Sequence, residues 1–230
     1  MRFLRMLSHR FQGLRRVHLA PVIAHVSAHA LGALRFVLSP SKGLLARPAP
    51  FACRQVRPGQ RHADVRLVEA IAAVNGVAYG GGCELALACD IRIAAENARF
   101  AQLEMTVGAM PGGGAAQRLP RLIPRCKAAE MLLMGRIIDA QEAYRIGLVN
   151  AVVPLEQLMP TALKWAEEIC QLAPLAVRAT KEAMLRGSDM TLENGLLLDK
   201  LLFEKISSTE DFEEGIRAFK EKRKPVFKGR

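Results

Sequence analysis

The stretch "AYGGGCELALACD", residues 78–90, places three consecutive glycines directly before a run rich in Ala and Leu that favours a helix. Glycine has no Cβ, so its backbone can approach another molecule closely. The first N–H groups of a helix have no acceptor within it, and the helix dipole adds positive potential there. Gly80, Gly81 and Gly82 therefore predict a cradle for an anion or a polarised carbonyl oxygen. A tight strand-to-helix turn with close packing would explain the same glycines equally well.

On both sides of this stretch, extended segments alternate with helical ones. A short apolar run at 70–74 ends in a turn at Asn75-Gly76, and "IRIAAENARFAQLE" (91–104) contains two extended pieces separated by a turn. A second glycine cluster, Gly112-Gly113-Gly114, again precedes a helix start. This order predicts an α/β core in which one strand–helix unit occurs twice.

The segments that follow the second glycine cluster are mainly helical. One helix is predicted to end at Gly135, and another to begin at Asp139 with Glu142 completing a capping box. After a further apolar strand, "LVNAVVP", four helical segments fill the chain to its end. We therefore divide the sequence into a basic, acid-free, irregular segment (1–67), a core (68–155) and a C-terminal helical region (156–230).

Charge is distributed very unevenly along the chain. The formal net charge is +11, yet residues 1–63 hold ten Arg, one Lys, all five His and no Asp or Glu. The remainder is balanced, so the basic pI does not indicate a nucleic-acid partner and we expect none. Three interpretations of the basic segment are open: an organelle transit peptide, a basic interaction arm, or a stretch such as a wrong start or shifted reading frame. Its lack of amphipathic regularity favours the last.

The sequence predicts neither a membrane-spanning helix nor a metal site. No run of 18 or more residues is apolar and free of charge. The five cysteines show no CxxC pair or metal-ligand spacing, and the sequence beyond residue 63 holds no His. We interpret them as reduced thiols of a cytoplasmic protein, with the mitochondrial matrix as the alternative if the Arg-rich segment is a transit peptide. Cys83 beside Glu84 could act as a nucleophile, but no His base follows it.

Two glutamates stand next to the glycine clusters. Glu84 lies on the first turn after Gly80–Gly82, and Glu104 ends the run "RFAQLE" before the second cluster. Two carboxylates beside an oxyanion cradle suit reversible addition of water, because one can take a proton from water while the other gives a proton to carbon. Glutamates near helix starts also simply complement the helix dipole.

Several motifs together resemble the crotonase superfamily, the enoyl-CoA hydratases and isomerases. They are "IAAVNGVAYGGGCELALACDIRIAAENARF", "PGGGAAQRLPRL", "GLVNAVVP" and "EGIRAFKEKRKPVFKGR", in the family's order from about Ala70 to Arg230. The resemblance implies a ββα spiral core, an acyl-CoA substrate with no other cofactor, and hydration of 2-enoyl-CoA through an enolate. It also implies a homo-oligomer, a trimer or hexamer, formed through the C-terminal helices.

The resemblance assigns roles to individual residues. Gly81 matches the position whose N–H holds the thioester oxygen, and Glu84 and Glu104 match the two catalytic glutamates. Gly112 matches a glycine that borders the catalytic water. Lys200 and Phe203 match positions that approach coenzyme A from a neighbouring subunit, although "LDKLLFEK" (198–205) also fits an amphipathic packing helix.

The sequence departs from the family at three places. Ala101-Gln102-Leu103-Glu104 stands where the family has Gly-Gln-Pro-Glu, which frees the backbone before Glu104. Ala115-Ala116 stands where it has Gly-Thr. Residues 1–67 show no resemblance to the family's first half, which supplies the first oxyanion N–H. The alternatives to a hydratase are therefore an isomerase or a catalytically impaired or silent remnant.

Overall fold

We describe the protein from a computed structural model, which covers the backbone of residues 34–38 and all of residues 70–230. The described part is an α/β core followed by helices, as the sequence predicts. Its strands are β1 (Leu34–Leu38), β2 (Ala70–Val74), β3 (Val77–Tyr79), β4 (Ile91–Ala95), β5 (Arg99–Ala101), β6 (Ile138–Asp139) and β7 (Ala151–Val153). Its α-helices are α1 (Gly81–Leu87), α2 (Ala115–Leu122), α3 (Arg125–Met134), α4 (Ala140–Arg145), α5 (Leu155–Cys170), α6 (Pro174–Gly187), α7 (Leu192–Ser207) and α8 (Glu210–Lys220).

Strands β2 to β5 alternate between two sheets. One sheet has the order β1-β2-β4-β7, in which β2, β4 and β7 are parallel, and the other has the order β3-β5-β6. The chain thus runs β2–β3–α1 and then repeats the same unit as β4–β5–α2, with β3 parallel to β5. Equivalent corners of the two units therefore lie side by side, which places the start of α2 next to α1.

Two apolar clusters hold the core together. Every residue of β2 is buried, because the sheet is covered on both faces. On one face, alternate residues of β2 and β4 join α1, β5 and the buried sides of α2, α3 and α4. On the other face, Ile71 and Ile93 pack against Leu158 and Ala162 of α5. Helix α5 is therefore an integral layer of the fold.

Strand β1 corrects one expectation from the sequence. We predicted residues 1–67 to be irregular, yet Leu34–Leu38 pairs antiparallel with β2, with Leu34 opposite Val74 and Leu38 opposite Ala70. The apolar run "LRFVL" fits a strand at the edge of an established sheet. The other residues of that segment lie outside the described part of the chain.

The cap of α4 differs from the predicted capping box in one half. Asp139 Oδ1 accepts a hydrogen bond from the backbone N–H of Glu142 at 2.8 Å, as predicted. The carboxylate of Glu142 does not return to the backbone of Asp139; it binds Arg145 at 2.6 Å and also pairs with Lys127. The carboxylate that the capping-box motif assigns to the helix start thus binds two cationic side chains instead.

A buried ion pair ties the C-terminal helices to the core. Lys181 of α6 donates to Asp90 Oδ2 at 2.7 Å, and the same oxygen accepts the backbone N–H of Ala70 at 2.9 Å. Asp90 is the last residue before β4, and Ala70 is the first residue of β2. One carboxylate therefore connects α6 and the start of β2 to the segment between α1 and β4.

Candidate functional site

Gly80 forms the corner between β3 and α1. Its φ angle of 52° is one that residues with a side chain rarely adopt. Its N–H donates to the carbonyl of Ala101 at 2.9 Å, and its carbonyl accepts from the N–H of Glu84 at 2.9 Å. A Cβ at this position would lie 3.0 Å from Oε1 of Glu104. Glycine is needed here both for the turn and for the close approach of a carboxylate.

Gly81 begins α1 and faces open space. A Cβ built on it would have no atom within 4 Å. The N–H groups of the first helical turn have no acceptor inside the helix, so those at Gly81 and Gly82 are available to a bound group. The geometry leaves room for a ligand oxygen at Gly81.

Glu84 lies on the same helical turn, with 7% of its surface exposed. Its Oε1 accepts two backbone hydrogen bonds, from Gly113 at 2.7 Å and from Ala115 at 3.0 Å. A Cβ on Gly113 would lie 2.4 Å from Oε2 of Glu84. The carboxylate therefore occupies the space that a side chain at position 113 would need, and the second glycine cluster holds it in place.

Arg118 helps to fix Gly113, whose N–H binds Glu84. Its guanidinium Nη1 donates to the carbonyl of Gly113 at 2.8 Å, so this residue is held on both sides, through its N–H and through its carbonyl. The same group covers Gly114, whose φ angle of 109° favours glycine. The start of α2 is thus shaped to present the N–H groups of Gly113 and Ala115 to one carboxylate.

Glu104 approaches the same corner from the other unit of the core. It begins a 3-10 turn (Glu104–Val107) after β5 and is partly buried. Burial raises the pKa of Glu104; the bond from its own backbone N–H lowers it by less, and the negative charge of Glu84 raises it further. The structure therefore brings the two predicted glutamates together beside Gly80.

Two buried residues behind the glutamates were not assigned a place in the site by sequence analysis. Burial raises the pKa of the Cys83 thiol to about 12, so the thiol keeps its proton at neutral pH, which argues against a nucleophile. The side chain of Gln102 is fully buried between this thiol and Glu104. The period of two along β5 could have indicated it, since Gln102 shares a face with the buried Phe100.

The remaining predicted site residues lie in two places. Gly112 is exposed in the loop before α2, and a Cβ there would have no atom within 4 Å. Lys200 and Phe203 lie on α7, which packs against α6 and α8. Lys200 pairs with Glu204 at 4.0 Å, and Phe203 contacts Phe212 edge to face. Within one chain, α7 is thus tied to its neighbouring helices, whereas the carboxylates lie on α1 and the 3-10 turn.

The arrangement combines an oxyanion site with two carboxylates, the groups that enolate chemistry requires. Unpaired N–H groups at the start of α1 can stabilise an oxygen that becomes negative. Two carboxylates, one held by backbone donors and one partly buried, flank that position from either unit of the core.

None of the helices in residues 70–230 has the length and apolar character that crossing a membrane requires.

Comparison with known proteins identifies a family. The family model described as "Enoyl-CoA hydratase/isomerase" matches residues 42–230. This match begins at residue 42, so it extends into residues 42–67, for which the sequence analysis found no resemblance to the family. The (E)-benzylidenesuccinyl-CoA hydratase of Thauera aromatica is 50% identical over 159 residues, which are 69% of this chain and 62% of that protein. The 2,3-dehydroadipyl-CoA hydratase of Escherichia coli K12 is 47% identical over 160 residues, 70% of this chain and 63% of that protein.

Solved structures show the same fold. The enoyl-CoA hydratase of Bacillus anthracis aligns with a TM-score of 0.68 and 49% identity, over 70% of this chain and 62% of that one. A second, an enoyl-CoA hydratase subunit from Geobacillus kaustophilus, aligns with a TM-score of 0.71 and 42% identity, over 74% and 66%. The chain thus spans somewhat less than two thirds of the length of the curated relatives it matches.

Proposed function

Because this chain belongs to the enoyl-CoA hydratase/isomerase family, we propose that it adds water across the C2–C3 double bond of a 2-enoyl-CoA thioester. The observation that carries the proposal is the pair of carboxylates, Glu84 and Glu104, on either side of the open helix start at Gly81. Relatives that are named as CoA hydratases support the reaction class, among them the crotonyl-CoA hydratase of Syntrophomonas wolfei at 47% identity.

The helix start supplies electrostatic stabilisation. When water adds to C3, negative charge develops on the thioester oxygen, and the N–H of Gly81 is placed to donate to it. Removing one such donor from an oxyanion hole typically costs about 3 kcal/mol of transition-state stabilisation. Since no side chain stands between Gly81 and open space, the oxygen can approach the peptide nitrogen directly.

The two carboxylates divide the proton transfers. Backbone donors hold Oε1 of Glu84, which suits a carboxylate that accepts a proton from water as the water oxygen bonds to C3. Burial favours the protonated form of Glu104, which suits the donor of a proton to C2. The product gains hydroxyl at C3 and hydrogen at C2, and the proton held by Glu84 returns to Glu104 through solvent. Both carboxylates are used, which favours hydration over isomerisation.

The test is hydration of crotonyl-CoA by the full chain, followed by loss of the ultraviolet absorbance of the enoyl thioester. We expect Glu84→Gln and Glu104→Gln each to lower kcat several hundredfold, the range of lost acid–base catalysis. Glu167→Gln is the matched control, because Glu167 is an exposed residue of α5, the helix that covers the opposite face of the sheet from the site. Full rates in both site variants would refute the roles.

Two other outcomes decide between the alternatives. A folded wild-type chain without turnover above buffer would favour a catalytically silent member of the family. Conversion of a 3-enoyl-CoA to its 2-enoyl isomer, without hydration, would favour an isomerase.

We also propose self-association through the C-terminal helices. Helix α7 buries none of its residues within the described chain, and Leu196, Leu197 and Leu201 are more than half exposed beside Phe203. An apolar surface of this kind fits a contact between subunits, as trimers or pairs of trimers. In such an assembly Lys200 and Phe203 would approach coenzyme A of a neighbouring subunit. A monomer at micromolar concentration in light scattering would contradict this.

The location of the protein in the cytoplasm, or alternatively in the mitochondrial matrix, stays a prediction.

A further inference from the structure

Gln102 is a buried polar side chain placed directly behind a proposed catalytic group. It follows the last residue of β5, precedes the 3-10 turn by two positions, and has no exposed surface. Buried amides need partners for both their oxygen and their nitrogen. One end of the Gln102 amide faces the carboxylate of Glu104, and the other contacts the thiol of Cys83.

The chemistry of these neighbours fixes the orientation of the amide. In its ionised form the Glu104 carboxylate only accepts hydrogen bonds, so the amide nitrogen faces this form, at 3.1 Å from Oε2 and 3.2 Å from Oε1. The amide oxygen then faces Cys83. Because that thiol stays protonated at neutral pH, it can donate to the amide oxygen. The hydrogen bonds then run in one direction, from thiol to amide to carboxylate.

We propose that Gln102 is a positioning residue that holds the Glu104 carboxylate against Gly80, and that the Cys83 thiol sets the orientation of its amide. This inference rests on the proposed function for its catalytic meaning, but not for its geometry. Leu103 stands where the family motif has a proline, so the backbone before Glu104 lacks that restraint. The position of the carboxylate therefore depends more strongly on Gln102, a residue that the family motif shares.

Two opposing influences act on the pKa of Glu104. Burial raises this pKa, whereas the bond from its own backbone N–H lowers it. A Gln102 amide that donates to the ionised form would lower it as well. The charge of Glu84 on α1 acts on Glu104, and the charges of Glu84, Glu104 and Arg92 act on Cys83. Helix α3 packs on the 3-10 turn, and its charged Lys127 and Glu130 pair with each other at 3.2 Å. Removing the Gln102 donor therefore removes one of the interactions that oppose the effect of burial on the pKa of Glu104.

The experiment is an NMR titration of the Glu104 side-chain carboxyl in full chain labelled with 13C glutamate, assigned by the signal lost in Glu104→Gln. Gln102→Met has similar length and no donor, and we expect the midpoint to rise by about one pH unit or more. Cys83→Ala should raise the midpoint partly, and Cys83→Ser should restore it, because a hydroxyl also donates. Gln117→Ala on α2 is the control.

The outcomes separate this inference from the proposed function. A midpoint that is unchanged in a folded Gln102→Met, or equal in Cys83→Ala and Cys83→Ser, would overturn the inference. If Gln102→Met does not fold, the Cys83 pair decides alone. If the wild-type chain hydrates nothing but the midpoints move as expected, the proposed function fails and the positioning role stands. Where hydration is measured, kcat should fall in Gln102→Met more than KM rises.

Discussion

Replacing Gly113 with alanine tests the site through a single methyl group. The φ angle of Gly113 is not positive, so alanine fits its backbone. The added Cβ would lie 2.4 Å from Oε2 and 2.9 Å from Cδ of Glu84. Ordinary contacts begin near 3.4 Å, so the carboxylate must retreat by about 1 Å. That shift lengthens its bonds to the N–H groups of Gly113 and Ala115.

A misplacement of about 1 Å in a catalytic group can cost about 100-fold in rate. We therefore expect Gly113→Ala to lower kcat/KM for crotonyl-CoA about 100-fold, with the loss mainly in kcat because the acyl-oxygen site at Gly81 is untouched. The assay is hydration followed by ultraviolet absorbance, with circular dichroism to verify folding. Gln117→Ala, an exposed change on the same helix, is the control.

If Gly113→Ala folds and keeps the wild-type kcat/KM, the position of the Glu84 carboxylate does not govern the reaction. A crystal structure of the variant would then show whether the carboxylate had moved. A loss shared equally by the Gln117→Ala control would also refute the explanation, because that change does not contact Glu84.

Three further predictions concern the cradle, pH and the buried ion pair. Gly81→Ala should leave stability equal or slightly higher while lowering kcat/KM about 100-fold, since its methyl meets only open space in the protein but blocks the ligand oxygen; urea unfolding and hydration rates check this. Because burial raises the pKa of Glu104 above 4.5, the proton it binds stabilises the fold fully below about pH 4.5, and this contribution is lost as pH rises through the raised pKa. Urea unfolding across pH should show this decline in the wild type and not in Glu104→Gln. Lys181→Met should cost about 3 kcal/mol of unfolding free energy, because it removes the cation that pairs with the Asp90 carboxylate, whose side chain is only 18% exposed. Adding Asp90→Asn should recover part of that loss, and thermal denaturation of both variants decides.

Local patterns in the sequence were sufficient for most of the core and the helical region. The turn at Asn75-Gly76, the helix that opens at Gly81 and the four helices after residue 154 all appear where the sequence predicts them. These features depend on turn residues, apolar periodicity and helix caps, which act over a few residues. The motifs also identified the family, as the match over residues 42–230 shows.

Other features were decided by contacts between distant segments. Glu84 is held by the N–H of Gly113, 29 positions further along the chain, and spacing alone could not have revealed that bond. Gln102 is buried against Cys83 because α1 meets the segment that joins β5 to the 3-10 turn. The carboxylate of Glu142 likewise binds Arg145 and, from another helix, Lys127, and not the backbone group that the capping box predicts.

The sequence by itself determined which residue types were available: glycines at two helix starts, two carboxylates beside them and an α/β order of elements. Only the tertiary structure decided which of these groups face one another. The physical reason is that propensity acts along the chain, whereas a carboxylate is placed by donors that folding brings from elsewhere. Here the repeated strand–helix unit brings the second glycine cluster to the first, and the site forms where the two meet.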